Sequence, residues 1–258
     1  MTFDLLRLRF QFVAGATIYF PNGKPANLLR GTLGARLHGD PDDYRKIFDP
    51  NLSNGPSGMA DPPRPFVFRA RNLDGRTVTA GETFDFSVNL FDLRIADRFV
   101  EAMSGLKDAR LAQVEQSKER LNLVPGAKPV STVAMEFLTP TELKTGEKIA
   151  VRPDFPILFA RIRDRISTLS ALYGGGPLPI DFRAMGERAA AVQMTRCEIR
   201  NVDVNRRSGT GTHPLGGFVG TAEYEGELTE FLPFLEAARW TGVGRQTVWG
   251  KGELQVRY

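Results

Sequence analysis

The feature that most constrains this chain is an order of secondary-structure elements that occurs twice. Near the N-terminus, Leu6, Leu8, Phe10 and Phe12 alternate with polar residues, which predicts a half-buried strand. A helical stripe, two strand-like segments and a second helical stripe follow. The next segment, residues 112–123, is compatible with either a strand or a helix, and a strand there completes the order βαββαβ.

The same order recurs after a linker at residues 124–129 that contains Pro and Gly. One of its strands has an apolar face that shifts between Ile199 and Val202, which predicts a bulge at that point. A doubled βαββαβ order is typical of the split βαβ arrangement. The sequence therefore predicts an α+β protein of two tandem ferredoxin-like (RRM-like) domains with antiparallel sheets, residues 1–124 and 130–258.

Local signals place the first helix and two loops. Asn27 is the predicted N-cap of a helix that reaches His38, with leucines at every fourth position. Residues 49–65 are dense in Pro, Gly, Ser and Asn, which predicts a long loop. The stretch RRSGTGTHPLGG, residues 206–217, predicts a second loop, which is basic. The run of Arg161, Arg163 and Arg165 is at helical spacing and favours a solvated helix surface.

Composition narrows the class of protein. The formal net charge is +4 with the basic residues gathered in the second half, which favours an anionic partner. A single cysteine forms no disulfide within the chain, so a reducing cytoplasm is the expected compartment. One Cys and two His cannot build a thiolate or multi-histidine metal site, and no acidic motif indicates magnesium. We expect no cofactor, no signal peptide and no membrane span.

A glycine-rich basic stretch, WTGVGRQTVWGKGEL, closes the chain at residues 240–254. Its spacing fails both the Walker A pattern and the dinucleotide fingerprint, and no helix follows it. A tight turn before the last strand needs fewer glycines, so a loop that approaches a nucleic acid backbone is favoured. The predicted RNA contacts are Gly242, Gly244, Arg245, Gly250, Lys251 and Gly252.

Several motifs resemble a known family. HPLGGFVGTAEYEGELTEFLPFLEAARWTGVGRQTVWGKGEL (213–254) and FLTPTELKTGE (137–147) resemble the C-terminal region of CRISPR-associated repeat-processing endoribonucleases of the RAMP superfamily. LLRGTLGARLH, YRKIFDP and PFVFRA resemble weaker features of that family's N-terminal half. The resemblance implies a metal-independent endoribonuclease that cuts CRISPR precursor transcripts within repeats, with the 2′-hydroxyl as nucleophile and a 2′,3′-cyclic phosphate as product.

The implied partners are CRISPR repeat RNA, as precursor and as guide RNA, and a CRISPR effector complex, with the chain itself a monomer or a homodimer. A non-catalytic RAMP subunit that binds guide RNA in such a complex is the alternative. A small-molecule enzyme on the same fold is disfavoured, because the nucleotide motifs fail.

Histidine is the usual side chain for the proton transfers of such a reaction. His38 shares a helical stripe with Arg30 and Gly34, and the resemblance implies a catalytic histidine at or just beyond this helix. The alternative is a histidine favoured by the negative end of the helix dipole. His213 has three alternative roles: a solvent-exposed loop residue, an RNA contact together with Arg206 and Arg207, or a catalytic group.

Two further residues are candidate catalytic groups near the start of the first helix. Tyr19 and Lys24 would reach the reacting phosphate if that end of the helix faces the RNA. Their alternatives are a packed strand-end aromatic and a solvated turn lysine. Trp240 and Trp249 are candidates for base stacking, with core packing as the alternative. The family often carries a histidine where this chain has Thr241, so that position is predicted not to be catalytic.

Overall fold

The computed structural model describes residues 1–50, 62–203 and 216–258, and the backbone of residues 205–208 and 211–214. Most of the predicted loop 49–65 therefore lies outside the described residues. The side chains of Arg206, Arg207 and His213 lie outside them as well.

The N-terminal half forms a four-stranded antiparallel sheet with the order β3-β5-β1-β6, and a short β2–β4 pair lies apart from it. The segment 112–123 is a strand, because β6 pairs with β1 along nearly its whole length. The elements are β1 (Thr2–Ala14), β2 (Ile18–Tyr19), α1 (Pro25–Leu37), α2 (Pro41–Phe48), β3 (Phe66–Arg69), β4 (Thr77–Val78), β5 (Thr83–Leu90), α3 (Ala96–Ser104) and β6 (Ala109–Asn122).

The C-terminal half repeats this topology, with the sheet order β10-β13-β7-β14 and all pairs antiparallel. Two hairpins, β8–β9 and β11–β12, are additions to it. The elements are β7 (Thr132–Thr141), β8 (Lys144–Thr145), β9 (Lys148–Ile149), α4 (Phe155–Tyr173), α5 (Phe182–Ala189), β10 (Gln193–Val202), β11 (Asn205–Ser208), β12 (Gly211–Pro214), β13 (Gly217–Glu225), α6 (Leu232–Thr241) and β14 (Leu254–Arg257). The predicted α+β class with two ferredoxin-like sheets is confirmed.

Several local predictions were wrong. Helix α1 begins at Pro25 with Lys24 as its N-cap, because proline is well suited to the first helical position, and Asn27 lies inside the helix. Helices α2 and α5 were not predicted. The bulge of β10 lies between Met194 and Arg196 and not between Ile199 and Val202. The segment predicted as a second loop pairs its backbone as the hairpin β11–β12.

Strand β1 contributes to two apolar cores, because alternate residues of a strand face opposite sides of the sheet. Leu8, Phe10 and Phe12 are buried under the N-terminal helices. Phe3 and Leu5 belong instead to the core that the C-terminal domain builds around α4 and α6. The predicted division of the chain at residues 124 and 130 stays a prediction, and this second core extends across it.

Buried and partly buried polar side chains also join the two halves at the end of α6. Arg69 Nη2 and Asn89 Nδ2 donate to the carbonyl oxygen of Trp240, at 3.0 and 2.8 Å. Arg165 Nε donates to the carbonyl of Thr241 at 2.9 Å. Burial, and then the charge of Arg69, lowers the pKa of the Arg165 guanidinium to about 9. The helix end is therefore capped from the N-terminal sheet and from α4 together.

The arginines of α4 do not form the solvated surface that was predicted. Arg163 is buried, with its guanidinium 4.7 Å from the ring centroid of Phe182. Arg165 is occupied by the cap of α6 described above. Arg161 pairs with Asp164 at 3.0 Å, with 41% of its side chain exposed. Periodicity could not separate these three residues, because a long helix between two packed layers buries more than one face.

Candidate active site

The C-terminal end of α1 opens into a groove that contains His38. His38 is the exposed residue that follows the helix, and α2 begins three residues later at Pro41, with Asp40 as its N-cap. The turn between the helices sets the ring of Tyr44 edge-on to the imidazole of His38, with centroids 6.1 Å apart and planes at 82°. Arg30, Gly34 and Phe48 line the same groove.

Arg30 lies between two aromatic rings from different parts of the chain. Its guanidinium carbon is 5.0 Å from the ring centroid of Phe48 and 5.0 Å from that of Trp249. Both distances are within the range of a cation–π interaction. The stripe of Arg30, Gly34 and His38 is therefore confirmed as one surface, and it places a fixed cation and an exposed imidazole in the same groove.

Helix α2 forms one wall of this groove, and an ion pair holds it against α3. Arg98 Nε lies 2.6 Å from Asp43 Oδ2. The hydrogen bond from Arg98, helped by Lys46, holds the pKa of the Asp43 carboxyl below its usual range. The wall that carries Tyr44 is thus attached to the rest of the N-terminal domain by a charged contact beside the groove.

Tyr19 and Lys24 are not brought together with His38. Lys24 is the N-cap of α1, and Tyr19 pairs with Thr77 in the β2–β4 pair with about half of its surface exposed. Lys24 and His38 are separated by the whole helix, which is about 20 Å at 1.5 Å per residue. The four residues predicted as one catalytic set therefore do not form one cluster: Arg30 and His38 line one groove, whereas Lys24 lies at the start of α1 and Tyr19 in the β2–β4 pair.

The glycine-rich loop is packed closely on the protein itself. Gly244 and Gly252 have φ of 79° and 67°, in the left-handed region that favours glycine. A Cβ at Gly244 would collide with the carbonyl oxygen of Glu142 after β7, and one at Gly252 with that of Val243. The loop thus needs its glycines to fold against its own backbone and the end of β7.

The two basic residues of the loop have different positions. Lys251 is 2% exposed, and its Nζ donates to the carbonyl oxygen of Gly23, before α1. Burial lowers the pKa of Lys251 to about 8, opposed by Asp74 and reinforced by Lys24. Arg245 is about half exposed and pairs with Glu142 at 2.6 Å. Of these two predicted RNA contacts, the structure brings only Arg245 to the surface.

The other predicted RNA contacts lie on the β11–β12 hairpin. Its backbone register sets Arg206 opposite His213 and Arg207 opposite Thr212. The hairpin connects two adjacent strands of the C-terminal sheet, β10 and β13. The roles predicted for these three side chains stay predictions.

Sequence reasoning missed Tyr44 and the contact between Trp249 and Arg30. The signal for α2 was present, because Asp40 followed by Pro41 is an N-cap followed by proline at the first helical position. The Trp249 contact left no local signal, since it joins residues more than two hundred positions apart. Across the described residues, no group of three or more His, Cys, Asp or Glu could hold a metal ion. No helix in that part of the chain is long and apolar enough to cross a membrane.

We compared the sequence with models of known protein families and with curated proteins. Residues 135–254 match the family model described as CRISPR-associated endoribonuclease Cas6. Among curated proteins, none matches this sequence.

Solved structures extend the comparison to the whole chain. A Cas6 of Thermus thermophilus superposes with a TM-score of 0.65 at 18% identity, covering 100% of this chain and 99% of that one. A product complex of the same Cas6 gives 0.63 at 19%, covering 98% and 100%. A chain of a Cas6-RT-Cas1–Cas2 complex gives 0.65 at 13%, covering 98% of this chain and 46% of that one. The resemblance drawn from the motifs is confirmed: residues 135–254 match the family model of CRISPR-associated Cas6 endoribonucleases, and the chain as a whole has the fold of solved Cas6 proteins.

Proposed function

We propose that this protein cuts CRISPR precursor transcripts within their repeats without a metal ion. The 2′-hydroxyl attacks the adjacent phosphorus, so that a 2′-O–P bond forms and the P–O5′ bond breaks. The products are a 2′,3′-cyclic phosphate and a 5′-hydroxyl. The observation that carries the proposal is the groove at the end of α1, where an exposed His38 lies beside the restrained cation of Arg30.

The reaction needs two proton transfers and a cation. One group accepts the proton of the 2′-hydroxyl, and another supplies a proton to the departing 5′-oxygen. His38 carries one of these transfers, because its side chain is exposed at the surface that RNA can reach. Arg30 stabilises the negative charge that develops on the phosphate oxygens.

Solved relatives support the choice of RNA and of a histidine. Two other Cas6 structures that share the fold are described as a product complex and a substrate mimic complex. A further one is described as a mutant in which a histidine is replaced by alanine. These descriptions concern those proteins, and the groove of this chain offers the same type of side chain.

The proposal is tested by cleavage of the cognate repeat RNA in EDTA and by a substrate with hydrogen in place of the 2′-hydroxyl at the cut site. We expect cutting in EDTA with a cyclic phosphate product, and binding without cutting for the deoxy substrate. Loss of cutting in EDTA, or cleavage of the deoxy RNA, would refute the mechanism. Tight binding of the natural repeat without any cutting would favour the alternative, a non-catalytic guide-RNA subunit.

A further inference from the structure

The glycine-rich loop lies along the same stripe of α1 that ends at His38. Lys251 Nζ contacts the carbonyl of Gly23, just before the helix. A Cβ at Gly250 would lie 3.1 Å from that of Ala26, so the loop backbone is close to the first turn. Trp249 then stacks on Arg30. Ala26 and Arg30 are four residues apart on α1, as one face of a helix requires.

The backbone of the loop fixes the position of Trp249. It is the last residue of a short 3-10 turn, Thr247–Trp249, between Gln246 and Gly250, which are both left-handed. The amide of Trp249 donates to the carbonyl of Gln246 at 2.9 Å, and that of Gly250 to Thr247 at 3.0 Å. The indole is thus presented by a closed turn, and a closed turn gives it one orientation toward α1.

A guanidinium between two rings loses much of its freedom. An arginine side chain has several freely rotating bonds, and stacking on aromatic faces restricts them. Phe48 supplies one face from α2, within the domain of the groove, and Trp249 supplies the other from the opposite domain. The position of the cation beside His38 therefore depends on a residue far from it in sequence.

We propose that Trp249 is a positioning residue that holds Arg30 in the groove, so that the glycine-rich loop sets the geometry of the site from the other domain. This inference rests on the proposed function of the groove. It replaces the two predicted roles of Trp249, base stacking and plain core packing. A base-stacking residue would act on RNA affinity, and a core residue would act on stability alone.

The decisive measurement is a double-mutant cycle on the full-length protein with cognate repeat RNA. Single-turnover rates at saturating protein separate cutting from binding. We expect Trp249→Leu to slow cutting by about tenfold, which is the scale of one partly desolvated cation–π contact. Arg30→Ala should slow cutting by at least as much, because it removes the cation itself. The double variant should be no slower than the slower single variant, because Trp249 acts through Arg30.

The controls separate the three roles of Trp249. Trp249→Phe keeps an aromatic face and should restore the rate to within about threefold of wild type. Trp249→Met, which keeps an apolar side chain without an aromatic face, serves for the cycle if the leucine variant does not fold. Trp240→Phe changes the other tryptophan, which packs on the C-terminal core, and should leave the rate unchanged. The proposal would be overturned if the rate losses of the two single variants multiplied in the double variant. It would also be overturned if the Trp249 variant cut at the normal rate but bound RNA more weakly or melted at a lower temperature.

A second measurement does not depend on cleavage. The imidazole NMR resonances of His38, assigned against His213→Ala, should move in Trp249→Leu as they do in Arg30→Ala and stay in place in Trp240→Phe. Unmoved resonances in Trp249→Leu would overturn the positioning role even if the wild type does not cut. If the wild type and the Trp249 variants cut equally while His38→Ala does not cut, only the positioning role fails and the proposed function stands.

Discussion

The two domains have the same topology, yet the first helix of each ends differently. Helix α1 ends at an exposed histidine beside an open groove. Helix α4 is longer and ends at Gly174, where a Cβ would lie 3.0 Å from the carbonyl of Ser170 and 3.1 Å from the ring of Phe3. The same fold thus gives one open helix end with titratable chemistry and one closed helix end used for packing.

The family match covers the closed domain, whereas His38 lies outside the matched residues 135–254. The physical reason lies in what each domain requires. The glycine-rich loop needs glycine at several left-handed positions and at close backbone contacts. The groove needs one imidazole, one cation and two rings, and many sequences can supply these. The recognisable sequence therefore marks the closely packed glycine-rich loop, more than the groups that we propose to react.

The strongest test of this division of roles is His38→Ala. We expect the cutting rate to fall by roughly 10²–10⁴, the usual contribution of a general acid or base. RNA affinity should stay near that of wild type, because an exposed imidazole contributes little to binding a polyanion. Single-turnover cleavage and a binding titration on the same preparation measure both quantities.

The matched control is His213→Ala, which removes the only other histidine. If chemistry belongs to the N-terminal groove, this variant cuts at a rate close to that of wild type. A large loss in His213→Ala together with an unchanged rate in His38→Ala would place the chemistry in the C-terminal domain and reverse the comparison.

Much of the order of strands and helices could be predicted from the sequence alone. Alternation in β1 and the stripe through Arg30 and His38 could be read directly, because both are local periodic patterns. The burial of Lys251 and the inward position of Arg165 could not, because each is set by the contact of one domain with the other. In the sequence, Lys251 among glycines suggests a phosphate contact. Its burial against the residue before α1 becomes evident only in the folded structure.

The contact between the two domains at the end of α6 can be weakened by replacing Arg69. Replacement by alanine removes its donors from the carbonyls of Arg239 and Trp240, which lie 3.1 and 3.0 Å from Nη2. Because two charge-assisted hydrogen bonds between the halves are lost, the free energy of unfolding should fall by about 3 kcal/mol. Urea unfolding monitored by tryptophan fluorescence measures the loss.

Arg183→Ala is the control for this loss. Arg183 lies on α5 with its side chain 90% exposed, in an ion pair with Glu187. A surface pair of this kind contributes at most about 1 kcal/mol. If Arg69→Ala and Arg183→Ala lose the same small amount of stability, the end of α6 does not hold the domains together. The domains would then be better described as independent units.

The buried ammonium of Lys251 makes the stability of the contact between the two domains depend on pH. Its pKa is about 8 in the folded protein and 10.5 is the ordinary value, so between these the unfolded chain binds more protons. The wild type should therefore gain stability relative to Lys251→Met as pH rises from 8 to 10.5, by about 2–3 kcal/mol.

Unfolding midpoints of the two proteins at pH 7.5 and pH 10 measure this gain. Lys128→Met, at an exposed position in the linker, reports the pH dependence of the remaining chain. A difference between wild type and Lys251→Met that does not change with pH would mean that the ammonium is solvated, and the loop would then be looser than the closed packing described here.

The smallest expected effect separates the two cations of the loop by their contact with RNA. Arg245 is about half exposed, so Arg245→Ala should reduce the slope of log K against log salt by about one. Lys251→Met should leave that slope unchanged, because the Lys251 ammonium is bound to the carbonyl of Gly23 inside the protein. An equal reduction in both variants would mean that RNA binding draws Lys251 out of the interface, so that the loop contacts RNA directly. An unchanged slope in both would confine the loop to holding α1 and leave RNA affinity to other basic surfaces.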